Sequence, residues 1–248
     1  MKQVISYSLY GVQPRFLVGA IKNAQLAQVF FPGFEVRFYV GNSVPTWVRS
    51  TLDLFPNVVQ IPVDAPENSV ARMWRFKAIY DPEVDVVLSR DCDARLSIRE
   101  AQIHQEFLDS DFNFHIIRDH PTGHNYLISA GMFAVKTAKV GIFFEKMERV
   151  PVYDFYTQDQ IFLAEKIYPH IADDCLIHDD YYNILFTEPS EKRKIERKRI
   201  NIVCHIGAAL DENDVFVYNT DREISLQESG HIKYIYDWGK DEESSNNR

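Results

Sequence analysis

Strand-like and helix-like segments alternate without a break from the N-terminus to Arg90, and this alternation narrows the fold more than any other feature. "KQVISYSL" is patterned as a strand, and Pro14 then suits the first turn of a helix. Leu17, Ala20, Ile21, Ala24 and Ala27 recur at helical spacing until "FPGF" ends the run. "EVRFYV" alternates as a strand, "PTWVRSTLDLF" reads as a helix, and "NVVQIPV" as a third strand. "SVARMWRFKAIY" reads as a third helix, stopped by Pro82, and "VDVVLSR" as a fourth strand. Strands interleaved with helices build a mostly parallel sheet covered on both faces, so an α/β, Rossmann-like fold is expected.

After Arg90 the pattern loosens into a mixed second half. "FNFHIIR", "NYLISAGMFAV" and the late "NIVCHIG" are patterned as strands, and "TAKVGIFFEKMERV" and "TQDQIFLAEKIY" as helices. No repeat or linker-like stretch interrupts the chain. The expected organisation is one domain over residues 1–240, with a nucleotide-binding half at 1–135 and an acceptor or sugar half at 136–240. The polar residues 241–248, "DEESSNNR", read as a disordered tail.

Composition excludes some functions. A formal net charge of -9 disfavours general nucleic-acid binding, and 46% hydrophobic residues are enough for a core. Cys92, Cys175 and Cys204 have no paired spacing, and no apolar run approaches a membrane span. A cytoplasmic protein without disulfides is expected. The basic run "EKRKIERKRI" is expected to be a solvated loop, with peripheral contact to a membrane surface as the alternative.

The chemistry concentrates in "VVLSRDCDARLSIRE". Ligands of parallel sheets bind beyond the carboxyl ends of the strands, where Asp91 and Asp93 should stand. On extended backbone, residues two apart point to the same side. Two facing carboxylates repel, and a hard divalent cation relieves that repulsion. Ser97 and Glu100 form an S-x-x-E capping box, so a helix should start directly after the acids. Taken alone, D-x-D is more often a solvated turn. Its place after a buried strand, and the order of Arg75, Asp159, Gln160 and His205 around it, favour the functional reading.

This set resembles the nucleotide-sugar glycosyltransferases of the GT-A fold. Asp91-Cys92-Asp93 looks like their D-x-D metal site, His205 in "HIG" like the late third metal ligand of the glycogenin-like and galactosyltransferase-like families, and Asp159-Gln160 like the pair beside the sugar. The closest resemblance is to a group of bacterial and viral transferases, through "SLYG" at Ser8 to Gly11, "WRF" at Trp74 to Phe76, "RDCDARLSIRE", and "RDHP" at Arg118 to Pro121. Ala130 stands where a Gly is common, and no K-P-W follows His205.

The resemblance implies a hexosyltransferase acting in polysaccharide or glycan synthesis. A UDP- or GDP-sugar would give its sugar to a glycan or other acceptor hydroxyl. Mn2+, or Mg2+, would sit on Asp91, Asp93 and His205. Ser8, Tyr10, Arg75, Asp91 and Asp93 would bind the nucleotide sugar, with Tyr10 against the base. Asp159 and Gln160 would face the reacting carbon, and Asp119 and His120 would either contact substrate or stabilise a turn. Two rivals are a nucleotide-sugar-binding protein without turnover and a haloacid-dehalogenase-type phosphotransferase. The second places its D-x-D on the first strand rather than the fourth.

Overall fold

The computed structural model describes residues 1–120, 126–144, 147, 157–180, 191–197 and 205–217. Cys204, Pro121, the residues leading into His205 and the polar tail lie outside that set.

Eight strands form one sheet: β1 (Gln3–Leu9), β2 (Glu35–Gly41), β3 (Val58–Val63), β4 (Val86–Arg90), β5 (Phe114–Arg118), β6 (Phe133–Lys136), β7 (Cys175–Asp179) and β8 (Glu191–Arg193). Their order is β3-β2-β1-β4-β6-β5-β7-β8. Pairing is parallel from β3 to β4 and from β5 to β8, whereas β6 runs antiparallel to both its neighbours. The expected α/β sheet with a mixed second half is what forms.

One face carries α1 (Pro14–Phe30), α2 (Thr46–Leu52) and α3 (Ile98–Leu108). Leu17, Ala20, Ala24 and Ala27 of α1 enter one core cluster with Ile5, Tyr7, Val36 and Phe38. The other face packs against α4 (Thr137–Phe144), α5 (Gln158–Phe162) and the helix Ser69–Tyr80. Phe76, Phe133, Phe144 and Phe162 meet there as an aromatic cluster.

Several expectations are refined or corrected. Ser69–Tyr80 is the expected third helix, wound as a 3-10 helix. Its backbone is tied to β1, because Ser6 Oγ donates to the Arg75 carbonyl at 2.7 Å and Ser8 Oγ to the Arg72 carbonyl at 3.0 Å. The "TQDQIFLAEKIY" helix is broken: α5 gives way to a π turn at Leu163–Ile167 and a 3-10 turn at Tyr168–His170. Of "NYLISAGMFAV", only the end is a strand. Strand β7 carried too little alternation to be seen, since all five of its residues are buried. The solvated loop expected for the basic run holds only in part: residues 194–197 are irregular, with Glu196 and Arg197 exposed. The run also supplies edge strand β8, and Ile195 is buried with Ile103, Ile117, Met132 and Ile206.

Candidate functional site

The strand order reverses between β1 and β4, which opens a crevice at their carboxyl ends. A cavity of about 540 Å³ lies there. Ser8 and Tyr10 reach it from β1, Asp91 and Asp93 from β4, Arg75 from the 3-10 helix, and Asp159 and Gln160 from α5. One cavity thus gathers seven of the eight residues singled out in the sequence. The eighth, His205, is not among its lining residues, although Gly207 and Ala209 are.

The acids sit in a turn, not on extended backbone as expected: Ala94 N donates to Asp91 O at 3.2 Å. Buried Asn23 of α1 fixes that turn. Its Nδ2 donates to the carbonyls of Cys92 at 3.2 Å and Ala94 at 2.7 Å, and its Oδ1 accepts from Leu96 N at 3.0 Å. Two glycines give the turn room. A Cβ at Gly19 would land on the Cys92 carbonyl, and one at Gly131 on the Asp91 carboxylate. On the far side, Leu210 N donates to Asp93 O at 2.8 Å, so residues 205–217 close against the acids. Asp214 anchors that segment by accepting from Lys22 Nζ at 2.6 Å and Arg95 Nε at 2.9 Å.

Charge in the cavity is internally balanced. The buried Arg75 guanidinium pairs with Asp91 and donates from Nη2 to Asp159 Oδ2 at 2.9 Å. Burial, and then the neighbouring Asp91, push the Asp93 carboxyl up to about 6. A carboxylate held this way is one that a cation would stabilise. Asp159 is also raised, by burial first, with Arg75 opposing. A helix start ordinarily favours an ionised carboxylate, and Asp159 departs from that rule. α5 has only five residues, and desolvation outweighs its dipole.

Ser8 has a structural load beside any binding role, since its Oγ also accepts from Arg75 N at 3.0 Å. Tyr10 packs edge-on against Trp74, with centroids 5.6 Å apart. His205 is buried and stacks on His120, with centroids 4.3 Å apart. Among the described residues, no three His, Cys, Asp or Glu side chains converge as a metal cage. Asp91, Asp93 and His205 are therefore not brought together as a set. Asp119 is wholly buried, pairs with Arg99, and accepts from Ile206 N at 2.7 Å. Asp119 and His120 thus fix the backbone and ring of the His205 segment.

Arg15, Phe16, Arg72, Ser129, Gly131 and Met132 also line the cavity and were not singled out from the sequence, while Ala130, noted there only as a departure from a common Gly, lines it too. Pro14 at the helix start was the available signal, since it puts Arg15 and Phe16 in the turn that follows β1. Nothing comparable marked Ser129–Met132, which reach the site only because β6 inserts beside β4.

No protein-family model matches the sequence, and no curated protein matches it. Solved structures do. S. aureus TarS 1-349 is 14% identical, with 77% of this chain and 60% of that chain covered at a TM-score of 0.52. TarS 1-349 in complex with UDP-GlcNAc is 13% identical, with 79% and 60% covered at a TM-score of 0.50. A glycosyltransferase involved in the glycosylation of the major capsid of PBCV-1 is 18% identical, with 73% and 82% covered at a TM-score of 0.46. With the parallel strands, the antiparallel β6 and the cavity at the β1–β4 crossover, the chain has the GT-A glycosyltransferase fold.

Proposed function

We propose that this chain is a metal-dependent glycosyltransferase that moves a sugar, most simply a hexose, from a UDP- or GDP-type donor to a glycan or other hydroxyl acceptor. The observation that carries this reading is the gathering of Asp91, Asp93, Arg75, Asp159 and Gln160 on one cavity at the switch point of the sheet. The structural likeness to TarS bound to UDP-GlcNAc supports a nucleotide-sugar donor.

The donor set fits a divalent cation. Asp91 and Asp93 offer oxygen ligands, and burial together with the neighbouring Asp91 raises the carboxyl of Asp93, a cost that a bound cation would offset. His205 lies outside the cavity lining; were it to join the two acids, its imidazole would favour Mn2+ over Mg2+. The cation would offset negative charge gathering on the diphosphate as the glycosidic bond breaks.

The chain's own groups do the rest. Arg75 neutralises Asp91 and Asp159 and is placed to donate to a phosphate or sugar oxygen. Asp159, raised by burial, suits a general base that takes the acceptor's proton. Gln160 Oε1 is buried and finds no hydrogen-bond partner among the described residues, so it is ready to accept from a sugar hydroxyl. Tyr10 supplies a face for the base.

The test is a thermal-shift screen of nucleotide sugars with Mn2+, followed by calorimetry on the best ligand. Asp93→Ala should remove most Mn2+-dependent affinity. Unchanged metal-dependent affinity in that variant would sink the assignment.

A further inference from the structure

Arg15 stands in the first turn of α1 and lines the same cavity as the acids. Its guanidinium lies 4.4 Å from the centroid of the Phe16 ring, another lining residue. Its Nε is buried and finds no acceptor among the described residues. A buried donor without an acceptor is costly, and a bound ligand removes that cost. Arg75 also has a buried Nε without an acceptor among the described residues, but its Nη1 and Nη2 are already paired with Asp91 and Asp159, whereas no ion pair of Arg15 is seen among the described residues.

The charge count defines the ligand. Arg15, Arg72 and Arg75 face Asp91, Asp93 and Asp159 in one cavity. A dianionic nucleoside-diphosphate sugar carried with a divalent cation leaves that balance intact. Arg15 and Asp93 line the same cavity, so the guanidinium faces the space beside the acids. A planar guanidinium matches two phosphate oxygens at once, which an ammonium cannot do.

Resting on the reading above, we propose that Arg15 is a diphosphate-binding residue, which holds the phosphate oxygens of the donor from the α1 side while Asp91 and Asp93 hold them through the metal.

The test is calorimetry on the full chain with Mn2+ and five probes: UDP, GDP, inorganic pyrophosphate, uridine and guanosine. Arg15→Gln keeps a helix-compatible side chain without charge, and its thermal melt checks folding. The expected result is a loss of at least about tenfold for pyrophosphate and for whichever nucleotide the wild type binds, with nucleoside affinity unchanged. Arg15→Lys should recover only part of the loss. Equal pyrophosphate and nucleotide affinity in wild type and Arg15→Gln overturns the proposal and leaves the transferase reading standing. A wild type that binds no nucleotide and no pyrophosphate overturns both. An Asp93→Ala variant with undiminished affinity overturns the metal assignment, and the pyrophosphate comparison then supports Arg15 by itself.

Discussion

Arg75 donates from Nη2 to Asp159 Oδ2 at 2.9 Å, joining the 3-10 helix to a helix start 84 positions later. Both side chains are about 95% buried, and the same guanidinium also pairs with Asp91. Arg75→Met keeps much of the volume and removes the charge, stranding a buried carboxylate. Breaking a buried pair from one side costs about 3–5 kcal/mol, so the urea midpoint should fall accordingly. Adding Asp159→Asn should restore part of that loss, because the stranded charge goes with it. A single variant as stable as the wild type would show that the pair contributes nothing in solution.

Turnover should depend on Asp159 far more than donor binding does. Asp159→Asn should lower turnover by about 10²-fold or more, as for loss of a general base, with donor affinity little changed. Both quantities are to be measured on one preparation with saturating metal. Turnover near the wild-type level would move the catalytic assignment to Gln160.

Gly131 is the residue that leaves room for the Asp91 carboxylate. The severe obstacle to a larger residue is the Asp91 carboxylate, with the Asp91 backbone N a milder one at 3.2 Å, so Gly131→Ala should fold and displace the Asp91 side chain instead. Mn2+-dependent nucleotide affinity should drop about tenfold with a small change in melting temperature. A variant that unfolds, or one that binds normally, would contradict this account of the glycine.

A chain of three buried histidines predicts acid sensitivity. Arg90 can only donate and the Glu106 carboxylate can only accept, which sets the direction of the rings between them. Arg90 donates to His104 Nε2, His104 Nδ1 to His115 Nδ1 at 3.2 Å, His115 Nε2 to His178 Nδ1 at 2.8 Å, and His178 Nε2 to Glu106 Oε2 at 3.0 Å. All three rings are then neutral. Burial lowers each of them, His104 to about 4. Glu100 and Arg90 face His104, while Glu106, Arg193 and Arg99 face His178. The unfolded chain takes up protons near pH 6.5 that the folded chain refuses. The stabilisation is therefore full above about pH 6.5 and is lost as pH falls toward about 4, at up to roughly 1.4 kcal/mol per pH unit for each histidine. Urea melts between about pH 5 and 6.5 should show this slope, and His115→Gln should flatten it. Equal slopes in the two proteins would mean that the relay does not titrate with unfolding.

What the sequence determined by itself was local. The alternation to Arg90 fixed the parallel half of the sheet, because strand and helix periodicities differ and each buries one kind of face. It also placed Asp91 and Asp93 at a strand end. The S-x-x-E signal began α3 correctly, with Ser97 Oγ accepting from Glu100 N at 3.2 Å. Yet the Glu100 carboxylate does not close a capping box; it pairs with buried Arg90. That contact depends on how α3 lies against β4, which no local pattern encodes. Tertiary structure alone decided the insertion of β6 beside β4, the arrival of Gly131 under Asp91, and the folding of residues 205–217 over the acid turn. It also gave Arg75 to both Asp91 and Asp159. Each of these joins residues far apart in the chain, where burial and charge pairing are settled by packing and not by spacing.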